Sequence, residues 1–215
     1  YSVTEVPAGR WDTALYYNND PKVPDKTYSK IGGWVKQFEF NPIQMRIPIP
    51  PTVLSQMDLT QQWGIAATHQ ALTDYGYPQR SFDPDRMAVI LGNSNAGEKH
   101  YRSTMRILLP EYTQALVNSD AFRNLPSEVQ RQVVENFEKN IRDQIPDITE
   151  DTMSGELSNI IAGRIANVFN FSGPNFITDA ACASSLAAIQ AAVHGLNDYQ
   201  FDTALAGGVD RNMGP

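Results

Sequence analysis

The sequence holds a single cysteine, Cys182, in the stretch DAACASSL that runs from Asp179 to Leu186. Ala180, Ala181, Ala183, Ser184 and Ser185 surround it with small side chains that leave room for a substrate. The residues before it, FSGPNFIT, read as a turn followed by a strand, and those after it, AAIQAAVHGL, read as a helix. A thiol near the first turn of a helix faces unpaired backbone N–H groups and the positive end of the helix dipole, and both favour thiolate over thiol. The same N–H groups can hold the oxyanion that forms once the sulfur attacks a carbonyl. That is the chemistry of acyl transfer through a covalent thioester. The opposing reading is a small hydrophobe filling a core, since free cysteine is among the most buried residue types and is then inert. For a lone cysteine among alanines the filler is the commoner case, and the residues alone leave both readings open.

A cysteine nucleophile works with a base or an electrostatic helper, most often histidine. The chain has three histidines, His69, His100 and His194. His194 follows Cys182 on the same expected helix at about 18 Å, taking roughly 1.5 Å per residue, which is too far to share a proton. His69 sits in an amphipathic helical stretch, as a solvated or half-buried side chain. His100 follows GNSNAGEK and is expected in an exposed polar loop. Cys182 therefore has no obvious partner in this chain. Asp179 and Asp210 flank expected strands as isolated acids, which cap or pair more often than they catalyse. The run GNSNAG, Gly92 to Gly97, lacks the Lys-Ser/Thr ending and the spacing of a phosphate loop and reads as a strand-end turn. No His/Asp/Glu group has metal-ligand spacing.

The elements that must position Cys182 are legible around it. Strand over Asn175–Ala180, helix over Cys182–Tyr199 and strand over Thr203–Ala206 make a βαβ unit, which predicts parallel strands in a layered α/β core. Leu186, Ile189, Val193 and Leu196 form one stripe on that helix. Met87–Leu91 is a continuously apolar run closed by glycine, hence a buried strand. Asp58–Tyr75 reads as a helix with Asp58 as N-cap, Gly76 as its stop, and an apolar stripe from Leu59, Trp63, Ala66, Ala67 and Ala71. Glu156–Phe169 reads as another, with Leu157, Ile160, Ile161, Ile165 and Val168 on one face and Gly163 marking close packing. Between them, residues 99–151 are polar and helical in texture. There Val129, Val133, Phe137 and Ile141 recur every four residues and Ser127 is a candidate cap with Gln130 three residues on. This stretch is expected to be a helical insertion lying over the core. The opening fifty residues, rich in Pro, Gly, Asn and Tyr, are expected to be irregular with short strands at most.

Composition narrows the class. The chain has 215 residues, 41% hydrophobic and 19% charged, enough for one good core or two small ones. A net charge of −7, with no local Lys/Arg cluster, argues against a nucleic-acid partner. One cysteine makes no internal disulfide, which fits a reducing, cytoplasmic setting. Neither a signal peptide nor a membrane span is legible, so no membrane partner is expected. The absence of a starting Met and the stop just after an expected strand suggest an internal piece of a longer chain.

DAACASSLAAIQAA resembles the nucleophile motif of the β-ketoacyl synthases (ketosynthases), the condensing enzymes of fatty-acid and polyketide assembly. The likeness runs along nearly the whole chain. VTEVPAGRWD and YYNNDPKVPDKTYSKIGGWV resemble the family's early segment, MDLTQQWGIAATHQALTDYGY its first long helix, and NIIAGRIANVFNFSGPNFITDAACASSL with DTALAGGVD its central region. PIPPTVLSQMD, the run ITEDTMSGELSNIIAGRIAN and Ala180-Ala181 lean toward the iterative multienzymes that make polyunsaturated fatty acids or enediyne cores. Leu59 stands after Asp58 where the usual polyketide version has Pro.

The resemblance implies a thiolase-like layered α/β fold built from two related βαβαβ halves, usually as a homodimer. Residues 1–215 would form its N-terminal portion, with part of the mixed or parallel sheet and the helical insertion. It implies that Cys182 takes an acyl chain from the phosphopantetheine arm of an acyl carrier protein, no cofactor being bound directly. A malonyl carrier-protein thioester then loses carbon dioxide, and the carbanion attacks the acyl-cysteine; the Cys182 N–H forms part of the oxyanion hole. The family's two catalytic histidines lie in motifs C-terminal to everything present here, and the family's opening strand is also absent, so this chain alone is not expected to condense anything. Two other readings stand beside it: a non-condensing partner subunit like a chain-length factor, and a plain α/β binding domain with a buried thiol.

Overall fold

Residues 3–95 and 97–211 are described in the computed structural model. The proline- and asparagine-rich opening makes little regular structure. Strand β1 (Val3–Glu5) pairs antiparallel with β2 (Ile31–Gly33), and the short helix α1 (Thr13–Tyr16) lies between them, capped by the Asp12 side chain. Pro51 opens α2 (Pro51–Gln56), where its fixed φ suits the first helical turn and its missing N–H costs nothing.

Helix α3 (Leu59–Tyr75) begins and ends as its residues dictate. The Asp58 carboxylate accepts from the Thr60 N–H, and Gly76 stops the helix in the left-handed conformation. The face it buries is not the expected stripe. Gly64, Ile65, Thr68 and Leu72 turn inward, because α3 packs on α9 (Asn159–Phe169) and Gly64 lets the helices close against Ile161 and Ile165. Trp63, Ala66, Ala67 and Ala71 line an open groove instead.

After a 3₁₀ turn at Pro84–Arg86 comes β3 (Met87–Gly92), buried at every position as its continuous apolar run requires. The next segment is helical, as its texture suggested: α4 (Glu98–Ile107), α5 (Leu109–Val117), α6 (Asp120–Arg123), α7 (Ser127–Gln144) and α8 (Glu150–Glu156). Three details differ from expectation. Ser127 does not cap α7; Pro126 holds the cap position, and Gln130 donates to the Leu125 carbonyl at 2.8 Å. The expected helix from Glu156 is broken, since α8 ends there, Leu157 is extended, and α9 starts at Asn159. The break is fixed where Gly155 presses on the backbone of Gln56 and its carbonyl accepts from the Asp58 N–H at 2.8 Å. That close approach, expected at Gly163, falls at Gly155; Gly163 makes only an ordinary contact with Asn175.

Strand β4 (Asn175–Thr178) is two residues shorter than expected. A 3₁₀ turn at Ala181–Ala183, helix α10 (Ser184–Asn197) and β5 (Thr203–Gly208) complete the βαβ unit. The sheet order is β4-β3-β5, all parallel, so the crossover through α10 passes over β3 rather than joining neighbours. Ile65, Leu72, Val89, Leu91, Ile161 and Ile165 form the core on one face of the sheet. Ala88, Ile90, Ala188, Ala192 and Phe201 form it on the other.

Helix α10 meets the sheet with Ser184, Ala188, Ala192 and Gly195, and the stripe Leu186, Ile189, Val193 and Leu196 is exposed. The expected core stripe is thus the outer one. The reason is steric: a Cβ at Gly92 would run into the Ser184 carbonyl and one at Gly195 into the Phe201 ring, so the helix lies too near the sheet for large side chains.

Candidate active site

The C-terminal ends of β3, β4 and β5 come together at one edge of the sheet, where α/β folds place their ligands. Cys182 stands at that edge. It is exposed, so it fills no core here, and it lies in the 3₁₀ turn just ahead of α10 rather than inside the helix.

Short polar side chains build the turn. The Ala181 N–H donates to Asp179 Oδ1 at 3.0 Å and the Ala180 N–H to Ser184 Oγ at 2.9 Å. Ser184 Oγ donates in turn to the Ala181 carbonyl at 2.7 Å, and Thr178 Oγ1 donates to the Ser184 carbonyl at 3.0 Å. The Ala183 N–H bonds the Ala180 carbonyl at 3.0 Å. The amide of Cys182 takes part in none of these bonds. Ala181 holds φ at +48°, a left-handed conformation that costs a residue with a Cβ about 1–2 kcal/mol. Asp179, an isolated acid in the sequence, thus ties the strained turn in which Cys182 lies.

A cavity of about 510 Å³ lies beside the thiol, with Gly92, Asn93, Ser185, Gly208 and Asp210 in its walls together with Cys182. GNSNAG contributes one wall as a strand-end turn. Asn93 is 2% exposed; its N–H donates to the Thr178 carbonyl at 3.1 Å and its Nδ2 to the Val209 carbonyl at 2.8 Å, so one residue ties all three strand ends. Gly208 is required on the other side, where a Cβ would come within 2.7 Å of the Ser185 Cβ. Burial pushes the Asp210 carboxyl up, opposed by a hydrogen bond from the Arg211 backbone. Sequence reasoning passed over Asn93 and Asp210 as members of the site; the signal that could have found them is their place just beyond parallel strands.

None of the three histidines lines this cavity. His194 is exposed near the far end of α10, and His69 lies half-buried on α3. His100 is on α4 rather than in a loop, with Nδ1 3.6 Å from Glu156 Oε1.

The β-ketoacyl synthase N-terminal domain model matches residues 1–215. Curated relatives include polyketide synthase PksL of Bacillus subtilis, 28% identical over 99% of this chain and 4% of its own length. One chain of a polyunsaturated fatty acid synthase from Thraustochytrium is 26% identical over 95% of this chain and 7% of its own length. The chain thus spans a small fraction of these relatives. Among solved structures, an oxazolomycin ketosynthase domain from Streptomyces albus JA3453 superposes with a TM-score of 0.65 at 24% identity, over 98% of this chain and 30% of that one. A ketosynthase from module 6 of the bacillaene synthase of Bacillus subtilis 168 gives 0.60 at 23%, over 99% and 27%. With a parallel sheet between helical layers, a cysteine turn at its C-terminal edge and a family match along its whole length, this chain belongs to the β-ketoacyl synthases as their N-terminal domain, in the thiolase-like α/β fold.

Proposed function

We propose that Cys182 is the acyl-accepting nucleophile of a condensing enzyme of which this chain is the nucleophile-bearing part. The Cys182 thiolate attacks an acyl thioester on the phosphopantetheine arm of an acyl carrier protein. The thioester C–S bond breaks, the carrier sulfur leaves as a thiolate that takes a proton from solvent, and the acyl group stays on the Cys182 sulfur. A malonyl carrier-protein thioester then loses carbon dioxide, and its carbanion attacks the acyl-cysteine. This forms a β-ketoacyl carrier thioester and returns Cys182 as thiolate. The Cys182 amide, outside the turn's own hydrogen bonds, serves the oxyanion in both half-reactions.

The observation that carries this reading is the exposed Cys182 on a strained turn at the C-terminal sheet edge, beside a cavity bounded by Asn93, Gly208 and Asp210. The catalytic histidines, the second protomer of a homodimer and the carrier's docking surface belong, on this reading, to the longer protein, which works in the cytoplasm. The helical stretch over residues 99–151 is an insertion in the one ketosynthase domain.

Incubation of the full-length protein with an acyl-pantetheine thioester, followed by mass spectrometry, tests the proposal. The expected result is one acyl adduct on the peptide containing Cys182, absent from Cys182→Ala. An adduct persisting in Cys182→Ala, or none in the unsubstituted protein, would overturn it and favour a non-condensing partner subunit.

A further inference from the structure

Asp58 is 3% exposed and its two carboxylate oxygens serve two different helices. Oδ1 accepts from the Thr60 N–H at 2.7 Å and from Thr60 Oγ1 at 2.8 Å, which caps α3. Oδ2 accepts from the Lys99 N–H at 2.9 Å, in the first turn of α4. Gly97 presses on the same carboxylate: its φ is +107°, and a Cβ there would collide with Asp58. The Asp58 backbone is itself anchored, donating to the Gly155 carbonyl at 2.8 Å.

The chain that reaches α4 has just formed a wall of the Cys182 cavity with Asn93, Ser94 and Asn95. At its strand end this wall is fastened by Asn93 to Thr178 and Val209. At its helix end it is fastened by the bond from the Lys99 N–H to Asp58, with Gly97 packed against the same carboxylate. A cap on α3 needs one acceptor, which Ser or Asn supplies as well as Asp. The second acceptor is what only a carboxylate provides here, since an Asn that kept the Thr60 bond would turn its NH₂ toward the Lys99 N–H, donor against donor.

We propose that Asp58 is a positioning residue for the Cys182 cavity, holding the wall after β3 in place through the Gly97–Lys99 backbone so that a thioester chain is seated against the sulfur. This rests on the reading of Cys182 as an acyl acceptor. Asp58 touches no reacting atom; its effect is on how the acyl chain is seated, and a shift of an ångström at such a wall costs as much as about a hundredfold in rate.

The experiment uses the full-length protein, unsubstituted and as Asp58→Asn, Asp58→Ser and Asp58→Ala. Two rates are read for each: acylation of Cys182 by an acyl-pantetheine thioester across a concentration series, and alkylation of Cys182 by iodoacetamide. The two cap-preserving variants, Asp58→Asn and Asp58→Ser, are expected to raise the half-saturating thioester concentration about tenfold or more. Iodoacetamide alkylation should stay within about twofold, because Cys182 is exposed on a turn tied by Asp179 and Ser184 rather than by Asp58. If both variants acylate as the unsubstituted protein does, the positioning role is overturned. If acylation and alkylation fall together, or only Asp58→Ala is slow, Asp58 is a cap and no more, and the role is again overturned. If the unsubstituted protein takes up no acyl group at Cys182, it is the acyl-acceptor reading that fails, and the positioning role falls with it.

Discussion

Ala181 carries the strain of the site. Its left-handed φ of +48° bends the chain between the last bonded residue of β4 and α10, and Asp179 and Ser184 hold the bend from either side. A β-branched residue tolerates that conformation worse than alanine does, while glycine adopts it freely. Ala181→Val is therefore expected to lower stability by about 1–2 kcal/mol in chemical denaturation, and Ala181→Gly to leave it within about 1 kcal/mol of the parent. Equal losses for the two would remove backbone strain as the account of this turn. The neighbouring Asp210 sits in the same cavity as Cys182, with its carboxyl held above the usual range by burial. The two residues are 28 positions apart in the sequence, and only the parallel pairing of β3 with β4 and β5 brings them to one edge.

At the scale of elements, the spacing between α10 and the sheet decides what the helix can bury. Gly92 faces the Ser184–Ser185 backbone, Gly208 faces Ser185, and Gly195 faces Phe201. Small residues on both sides bring the start of α10 down onto the strand ends, and Cys182 comes with it. Gly92→Ala is expected to push the helix away at a cost of about 1–3 kcal/mol, the range for overpacking a closed contact. It is also expected to slow Cys182 acylation more than iodoacetamide alkylation, since it moves the thiol relative to the cavity rather than covering it. A stability loss below about 0.5 kcal/mol would show that the contact is looser than its geometry. The same closeness explains the outward stripe. Leu186 is 68% exposed, and among the described residues no element covers it.

For the molecule as a whole, the sheet is braced at the edge opposite Cys182. Just before β3 and β5, Arg86 Nε donates to Asp202 Oδ2 at 2.6 Å and Nη2 donates to Oδ1 at 2.8 Å and to the Tyr199 carbonyl at 2.9 Å. The Arg86 guanidinium, through these bonds, holds the Asp202 carboxyl below its ordinary range. A carboxylate depressed in the folded state contributes stability that is present above its unfolded value and lost as pH falls through the folded one. Arg86→Met is expected to flatten that acid-side loss, read as the pH dependence of the thermal midpoint between neutral pH and about pH 3. Both partners are largely exposed, so the change is small and shrinks with added salt. An unchanged slope would mean that the pair contributes nothing. The described residues include no helix long and apolar enough to cross a membrane.

What the sequence determined by itself is local. The apolar run of β3, the Asp58 cap and Gly76 stop of α3, and the strand-turn-helix setting of Cys182 each follow from residues a few positions apart, and the chain-long motifs carry the family. Tertiary structure decided which faces are buried and which distant residues share a site. Periodicity finds an apolar stripe, yet on α10 the buried face is the one with Ser184, Ala188, Ala192 and Gly195, and on α3 it is the one where Gly64 lets Ile65, Thr68 and Leu72 turn inward. Packing distance, not hydrophobicity alone, chooses the face, and that distance is set by the partner element. The expected helix from Glu156 is broken because Gly155 meets Gln56, and Asp58 turns its second oxygen to α4 because folding brings Lys99 there. Neither contact leaves a trace in a window of neighbouring residues, since each depends on chain segments dozens of positions apart arriving at one place.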